Sequence, residues 1–236
     1  MIGRVHSIQS MAAVDGPGVR FAVFLQGCHL RCGYCHNPDT WDVSGGTEYT
    51  AEEIVNRCER YREYFGECGG ITLSGGEPLL QADFVCEVFS LCRECGINTC
   101  LDTSGSVALS GPVKDALRYA DRVLLDIKFA TDELYRTHVG CGIDRPLEFL
   151  AYLNGQGIPT TVRQVIVPGL NDDVDSIRAL AETVKTHGCV DKTELLPLRK
   201  MCRVKYEKVG IEFPFDSYPE PTAARMAELQ AVFEEK

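Results

Sequence analysis

The sequence predicts an α/β fold, an open, partial (β/α)6 barrel of parallel strands with helices outside. Apolar, β-branched segments alternate with amphipathic ones along the chain, the pattern of repeated βαβ units and hence of a parallel sheet. The strand-like segments number six, too few for a closed eight-fold barrel. The 236 residues are enough to bury roughly 70–75% of the unfolded surface. One domain over 1–236 is therefore expected, and no linker, low-complexity stretch or repeat divides it.

Taken in order, the first strand is 19–26, VRFAVFLQ, apolar except at its ends. Helix 51–64 follows Thr50, with Glu53 three residues on as a capping box. Strand 70–73 leads to helix 81–95, and strand 97–102 leads to helix 112–120. Strand 122–127 precedes helix 146–154, and the β-branched run 159–167 precedes helix 173–187. A last strand, 192–196, and a helix at 221–234 close the chain.

Composition narrows the function. Hydrophobic residues at 44% and charged residues at 25% are ordinary for a soluble globular protein. No apolar run approaches the roughly 20 residues that span a bilayer. The start, MIGRVHSIQS, has no apolar signal core, so a cytoplasmic protein is expected. Net charge is −10 with no block of Lys or Arg, which argues against nucleic acid as the main partner. Twelve cysteines in a chain of this length without an export signal fit a reducing, best an anaerobic, cytosol rather than a disulfide framework.

Cys28, Cys32 and Cys35 form C-x-x-x-C-x-x-C directly after the first strand. Thiolates select iron–sulfur clusters, zinc or copper(I), and a structural centre normally takes four protein ligands. Three leave one metal position for something other than protein. The competing readings are three free cysteines, or a structural zinc with His29 or His36 as fourth ligand. No second C-x-x-C or His pair stands at a matching distance to support the zinc. Cys92 and Cys95 are at helical spacing and read as packing residues. The remaining scattered cysteines read mostly as small buried hydrophobes.

Other chemistry-bearing residues fall at the carboxyl ends of the predicted strands, where parallel α/β barrels keep their sites. Ser74-Gly75-Gly76-Glu77 follows the second strand, Asp102-Thr103-Ser104-Gly105 ends the third and Asp126-Ile127-Lys128 ends the fourth. Arg163 lies in the fifth and Arg199 follows the sixth. Gly75 and Gly76 permit close approach of the backbone to a ligand, and the helix after them offers free amides. Glu77 suits a ligand ammonium; a plain turn with Pro78 near the helix start is the alternative. Asp102 and Asp126 are costly at strand ends unless paired, metal-bound or capping a following segment. Lys128, on the same face as Asp126, is its natural salt-bridge partner. Val14-Asp15-Gly16-Pro17-Gly18 reads as a turn into the first strand, and Trp41 as a packing anchor.

These residues together resemble the radical S-adenosylmethionine (SAM) superfamily, and within it the glycyl-radical activases, closest to those that act on pyruvate formate-lyase. The resemblance runs through Gly3-Arg4-Val5-His6-Ser7, the Val14–Phe21 segment, Gln26-Gly27-Cys28 and Arg31-Cys32-Gly33-Tyr34-Cys35-His36-Asn37. Asp39-Thr40-Trp41, the Ser74–Glu77 turn, Cys100-Leu101-Asp102-Thr103, Leu125-Asp126-Ile127-Lys128 and Val167-Pro168-Gly169 continue it. It implies a [4Fe–4S] cluster on Cys28, Cys32 and Cys35 whose fourth iron takes the amino and carboxylate groups of SAM. Reduced flavodoxin or ferredoxin would supply one electron. SAM would then yield methionine and a 5′-deoxyadenosyl radical, which abstracts hydrogen from a backbone glycine of the lyase.

The same resemblance implies residue roles. Tyr34 and His36 flank the cluster beside SAM, Gly75, Gly76 and Glu77 contact its methionine end, and Asp126, Ile127 and Lys128 line its groove. Asp15 and Arg163 face the incoming glycine loop, and a monovalent cation (sodium or potassium) sits near Asp102, Thr103 and Asp126. The chain departs from the family's Leu-Leu-Pro-Tyr-His after the last strand, reading Leu195-Leu196-Pro197-Leu198-Arg199, with Cys202 at a glycine position. Arg199 thus takes the place of a SAM-contacting histidine. Between Cys35 and Gly75 stand only Cys58 and Cys68, too few for the added clusters of the insert-bearing activases. Activation of another glycyl-radical enzyme is the alternative, and a non-catalytic zinc-stabilised interaction module is the alternative from another class.

Overall fold

The computed structural model describes residues 1–234. The chain forms two compact units, one of Met1–His29, Thr40–Thr103 and Val107–Leu124, the other of Leu30–Asp39, Ser104–Ser106 and the chain from Leu125 onward.

In the first unit the strands are β1 (Ile2–Ala12), β2 (Arg20–Leu25), β3 (Thr47–Thr50), β4 (Gly70–Gly75) and β5 (Asn98–Thr103), and β6 (Arg122–Asp126) begins there. Their order is β3-β1-β2-β4-β5-β6. β2 pairs in parallel with β4, Arg20 opposite Gly70 through Leu25 opposite Gly75. β4 pairs in parallel with β5, Gly70 opposite Asn98 through Leu73 opposite Leu101. These strands are buried along nearly their whole length, as expected of a parallel sheet covered on both faces. Helices α1 (Ala51–Glu59), α2 (Ala82–Glu94) and α3 (Gly111–Leu117) belong to this unit. α2 turns Phe84, Val85, Val88, Phe89 and Cys92 inward.

The capping box at Thr50 is formed: Thr50 Oγ1 accepts from the Glu53 amide at 3.2 Å, and the Thr50 amide donates to Glu53 Oε2 at 2.8 Å. α1 stops at Glu59, short of the expected Tyr64, and a separate 3-10 turn spans Arg62–Tyr64. β1 and β3 go beyond the sequence reading. β1 pairs antiparallel with both β2 and β3 and extends the parallel strands at that edge.

The second unit holds the end of β6, then β7 (Thr160–Ile166) and β8 (Val190–Pro197), which pair in parallel. Its helices are α4 (Asp132–His138), α5 (Asp144–Gln156), α6 (Val174–Lys185), α7 (Arg203–Val209) and α8 (Ala223–Glu234). Ile166, Ile177 and Leu229 form a core packed by Leu195, Met226, Val232 and Phe233, which seats α6 and α8. Strands β2, β4, β5, β6, β7 and β8 are the six expected from the sequence. The class is α/β, a sheet of mostly parallel strands with surrounding helices. Among the described residues no helix is long and apolar enough to cross a membrane.

Candidate active site

In the first unit the cysteine loop starts where β2 ends, and its first amides are all tied down. The Gln26, Gly27 and Cys28 amides donate to Arg4 O, Thr40 O and Trp41 O at 2.9, 2.8 and 3.4 Å. Gln81 Nε2 donates to both Arg4 O and Gln26 O at 2.9 Å.

The Ser74–Glu77 turn braces the same loop. The Gly76 and Glu77 amides donate to Leu25 O at 3.0 Å and Gly27 O at 2.9 Å. These two amides are thus spent on the end of β2 and the start of the cysteine loop. The glycines are needed for that contact: a Cβ on Gly76 would stand 2.2 Å from Gly27 O and 3.0 Å from Cys28 Cβ. Gly75, at φ +119°, would meet Leu25 main-chain atoms at 2.3 Å. Glu77 is 1% exposed, and its Oε1 accepts from the Leu79 amide at 3.2 Å and Thr103 Oγ1 at 2.7 Å. Its carboxylate thus caps the 3-10 turn Pro78–Gln81 and joins β4 to β5. Asp102 Oδ2 accepts from Ser74 Oγ at 2.8 Å.

The rest of the loop belongs to the second unit. The Arg31 and Gly33 amides donate to Val139 O and His138 O at 3.0 and 2.8 Å, and the Cys35 amide closes on Cys32 O at 3.0 Å. Gly33 lies against Phe215, where a Cβ would meet the ring at 2.1 Å. Tyr34 is buried edge-on between Phe129 and Phe215, at 5.9 and 5.6 Å between ring centroids. Burial pushes the Tyr34 hydroxyl well above its ordinary pKa, so it stays a neutral phenol. His36 Nε2 donates to Arg199 O at 3.0 Å, and Lys205 Nζ donates to Asn37 Oδ1 at 2.6 Å.

The same unit gathers three of the predicted charges. Asp126 Oδ1 accepts from Arg163 Nε at 2.9 Å, and Oδ2 accepts from Lys128 Nζ at 3.1 Å, which is the partner expected for it. Burial alone would raise the Asp126 pKa, but the Arg163 and Lys128 charges outweigh it and hold the carboxyl below its ordinary range. Burial likewise opposes the Lys128 charge, yet Asp126 first and the Cys32 thiol next keep its pKa well above the usual value. Arg163 and Lys128 both remain cations beside one carboxylate. Ile127, between them, is buried at 2% exposure, and its amide donates to Arg163 O at 2.9 Å.

Arg199 enters differently from a SAM-contacting histidine. Its carbonyl holds His36, while its exposed guanidinium donates to Glu220 Oε2 at 2.9 Å. Asp15 contributes its carbonyl, which accepts from Thr72 Oγ1 at 2.7 Å. The sequence reading missed Phe129, His138 and Phe215, which wall the loop. The one hint was Gly33, the smallest residue, between two cysteines.

All twelve cysteines are free thiols; of the nine outside the loop, Cys58, Cys92, Cys100 and Cys202 are buried and Cys68 is exposed. Burial pushes the Cys58 thiol up to about 12, as suits a packing residue. Among the described residues no three His, Cys, Asp or Glu side chains converge on one metal ion. A four-iron cluster asks for something else, since each thiolate takes a different iron.

The model of the radical SAM superfamily matches residues 22–181 of the chain. The pyruvate formate-lyase 1-activating enzyme of Escherichia coli (strain K12) is 43% identical over 237 residues, covering 100% of this chain and 96% of that protein. The pyruvate formate-lyase-activating enzyme of Clostridium pasteurianum is 45% identical over 214 residues, covering 90% and 89%. Among solved structures, a domain of pyruvate-formate lyase-activating enzyme from Bacteroides vulgatus ATCC 8482 aligns with a TM-score of 0.58 at 22% identity, over 70% of this chain and 92% of that one. A radical SAM methyltransferase from Sphaerobacter thermophilus aligns with a TM-score of 0.64 at 17% identity, over 91% and 63%. The structural likenesses bear on the fold; the sequence matches run nearly end to end, and by them the chain belongs to the radical SAM superfamily, in its family of pyruvate formate-lyase-activating enzymes.

Proposed function

We propose that this chain, acting as one radical SAM domain over 1–236 in an anaerobic cytoplasm, activates pyruvate formate-lyase by converting one of its backbone glycines to a glycyl radical. The observation that carries the reading is the three-thiol loop, held at both ends by main-chain hydrogen bonds and leaving one metal position to a non-protein ligand. Family membership brings a [4Fe–4S] cluster and SAM. The donor set fits the cluster: Cys28, Cys32 and Cys35 are thiols outside any disulfide, one buried and two half-buried.

Cys28, Cys32 and Cys35 would each hold one iron. A cluster held there would supply one-electron reduction of SAM, with reduced flavodoxin or ferredoxin as electron source, and so the 5′-deoxyadenosyl radical that would take hydrogen from the lyase glycine. Tyr34, with Phe129 and Phe215, walls the loop with aromatic surface and keeps water from it. His36 flanks Cys35 and is oriented by Arg199 O. Gly75, Gly76 and Glu77 would shape the methionine end of the SAM site by fixing the loop beside it. Asp126, Ile127 and Lys128 would line that site. Arg163, held against Asp126, and Asp15 would each face the main chain around the target glycine.

The family resemblance would also bring a monovalent cation near Asp102, Thr103 and Asp126. Full activity with sodium and potassium replaced by a bulky organic cation would remove it from the scheme.

The test is anaerobic reconstitution with iron and sulfide, then SAM and a reductant. Formation of 5′-deoxyadenosine that Cys32→Ala abolishes is the expected result. A glycyl doublet by electron paramagnetic resonance on added pyruvate formate-lyase identifies the partner; a doublet only on a different glycyl-radical enzyme would redirect it. A colourless, iron-free zinc protein from anaerobic purification would overturn the reading altogether.

A further inference from the structure

Arg20, the first residue of β2, is 0% exposed, and a guanidinium so placed has five N–H donors to satisfy. Nε donates to Thr72 Oγ1 at 2.9 Å, Nη1 to Cys68 O at 3.1 Å and Asn98 Oδ1 at 2.8 Å, and Nη2 to Ile71 O and to Asn98 O at 3.3 Å. Asn98 Nδ2 passes the network on to Asp121 Oδ2 at 3.2 Å, which supplies a countercharge. The buried cation is therefore locked in one orientation.

That orientation fixes Thr72, which is also 0% exposed. Arg20 can only donate, so the Thr72 hydroxyl must accept from it and has its one hydrogen left to give. It gives that hydrogen to Asp15 O at 2.7 Å. Thr72 lies opposite Ala22 on β2 and Cys100 on β5. Two residues on, along the same face, come Ser74 and Asp102, joined by their own hydrogen bond. The Asp15–Gly16 turn thus lies on the Ser74–Asp102 face, one strand repeat of roughly 7 Å away. Gly16 is pressed against it: at φ +129°, a Cβ there would meet Cys100 Sγ at 3.2 Å and Arg20 Nε at 3.5 Å.

We infer that Arg20 and Thr72 are positioning residues for the partner protein: through Thr72 Oγ1 they hold the 15–18 turn on the Ser74–Asp102 face, in the pose that receives the glycine-bearing main chain. This rests on the reading of Asp15 as a residue that faces that chain. Neither residue touches the reacting atoms. Their effect falls on how readily the partner is captured.

Thr72→Val keeps the shape and removes both hydrogen-bonding roles. In the reconstituted enzyme with SAM, reductant and pyruvate formate-lyase, KM for the lyase should rise about tenfold, the worth of one such bond, with kcat within about twofold. Amide exchange at Gly16 and Gly18 should quicken in the same variant, and Thr72→Ser should restore both. If Thr72→Val does not fold, Thr72→Cys reads the same two quantities. Unchanged exchange would overturn the relay, and faster exchange with an unchanged KM would overturn its role in capturing the partner. Asp15→Ala separates the two ideas: an unchanged KM there would sink the reading of Asp15 and leave the exchange result to judge the relay.

Discussion

His36 donates from Nε2 to the main-chain carbonyl of Arg199 at 3.0 Å, while the Arg199 guanidinium turns outward to Glu220. What the cysteine loop uses at position 199 is therefore a carbonyl, which any residue there provides. The Arg199–Glu220 pair is about half exposed, and such solvent-screened pairs contribute little. Arg199→Met should leave 5′-deoxyadenosine formation within about threefold, whereas His36→Ala, which removes the hydrogen bond itself, should cost more. A loss on Arg199→Met exceeding that on His36→Ala would put the guanidinium back in the SAM site.

Asp126 sits between two cations that are themselves mostly buried, with side chains 10% and 13% exposed for Arg163 and Lys128. Removing its charge takes the carboxylate away from both. Asp126→Asn should cost about 2–3 kcal/mol at neutral pH, below the 3–5 of a fully buried pair because this carboxylate keeps some water. The sign of the pH dependence follows from its lowered pKa. The folded-state value lies below the ordinary 3.8, so the stability is present above about pH 4 and lost as pH falls further. Urea melts of the cluster-free chain from pH 7 to pH 3 should show the cost of Asp126→Asn shrinking toward the acid end. A cost that stays constant or grows would contradict the pairing.

Two glycine substitutions should move in opposite directions. Gly76→Ala places a Cβ against Gly27 O and Cys28 Cβ, so the turn and the cysteine loop cannot both keep their places. Iron retained after reconstitution should fall by more than half, with a stability loss of about 1–3 kcal/mol. Gly155, inside α5, has open space where its Cβ would go. Gly155→Ala should therefore stabilise the chain by about 0.5–1 kcal/mol at unchanged iron content. Equal iron loss in both would mean that the close approach at Gly76 is not what sets the loop.

β2, β4 and β6 are legible in the sequence because burial on both faces writes each as a mostly apolar run, whereas β8, half-buried or exposed throughout, carries a weaker signal. β1 hides because its IGRVHSIQSMA mixes exposed and half-buried positions and takes its place from its partners β2 and β3. α4 and α7 hide for a related reason. Each has seven residues and one fully buried anchor, Tyr135 or Tyr206, and one anchor makes no period. At the site, the cysteine spacing and the Asp126–Lys128 pair are local and could be read. The amides of Gly76 and Glu77 could not, because their acceptors lie far back in the chain at Leu25 and Gly27. Nor could the use of Arg199 by its carbonyl, which depends on where His36 arrives.

Phe215 against Gly33 is a long-range contact that walls the cysteine loop. Phe215 is 3% exposed and also meets His138 at 5.3 Å and Tyr34 at 5.6 Å between centroids. Phe215→Ala should cost about 3–5 kcal/mol and shorten the life of the cluster in air. Gly33→Ala should also destabilise, since its Cβ would stand 2.1 Å from the ring. The two costs should not add. With the ring gone, the methyl group has space to enter, so Gly33→Ala made on Phe215→Ala should cost at least about 1 kcal/mol less than it does alone. Additivity to within about 0.5 kcal/mol would mean that the ring already swings aside, and the wall beside Gly33 would then be soft rather than fixed.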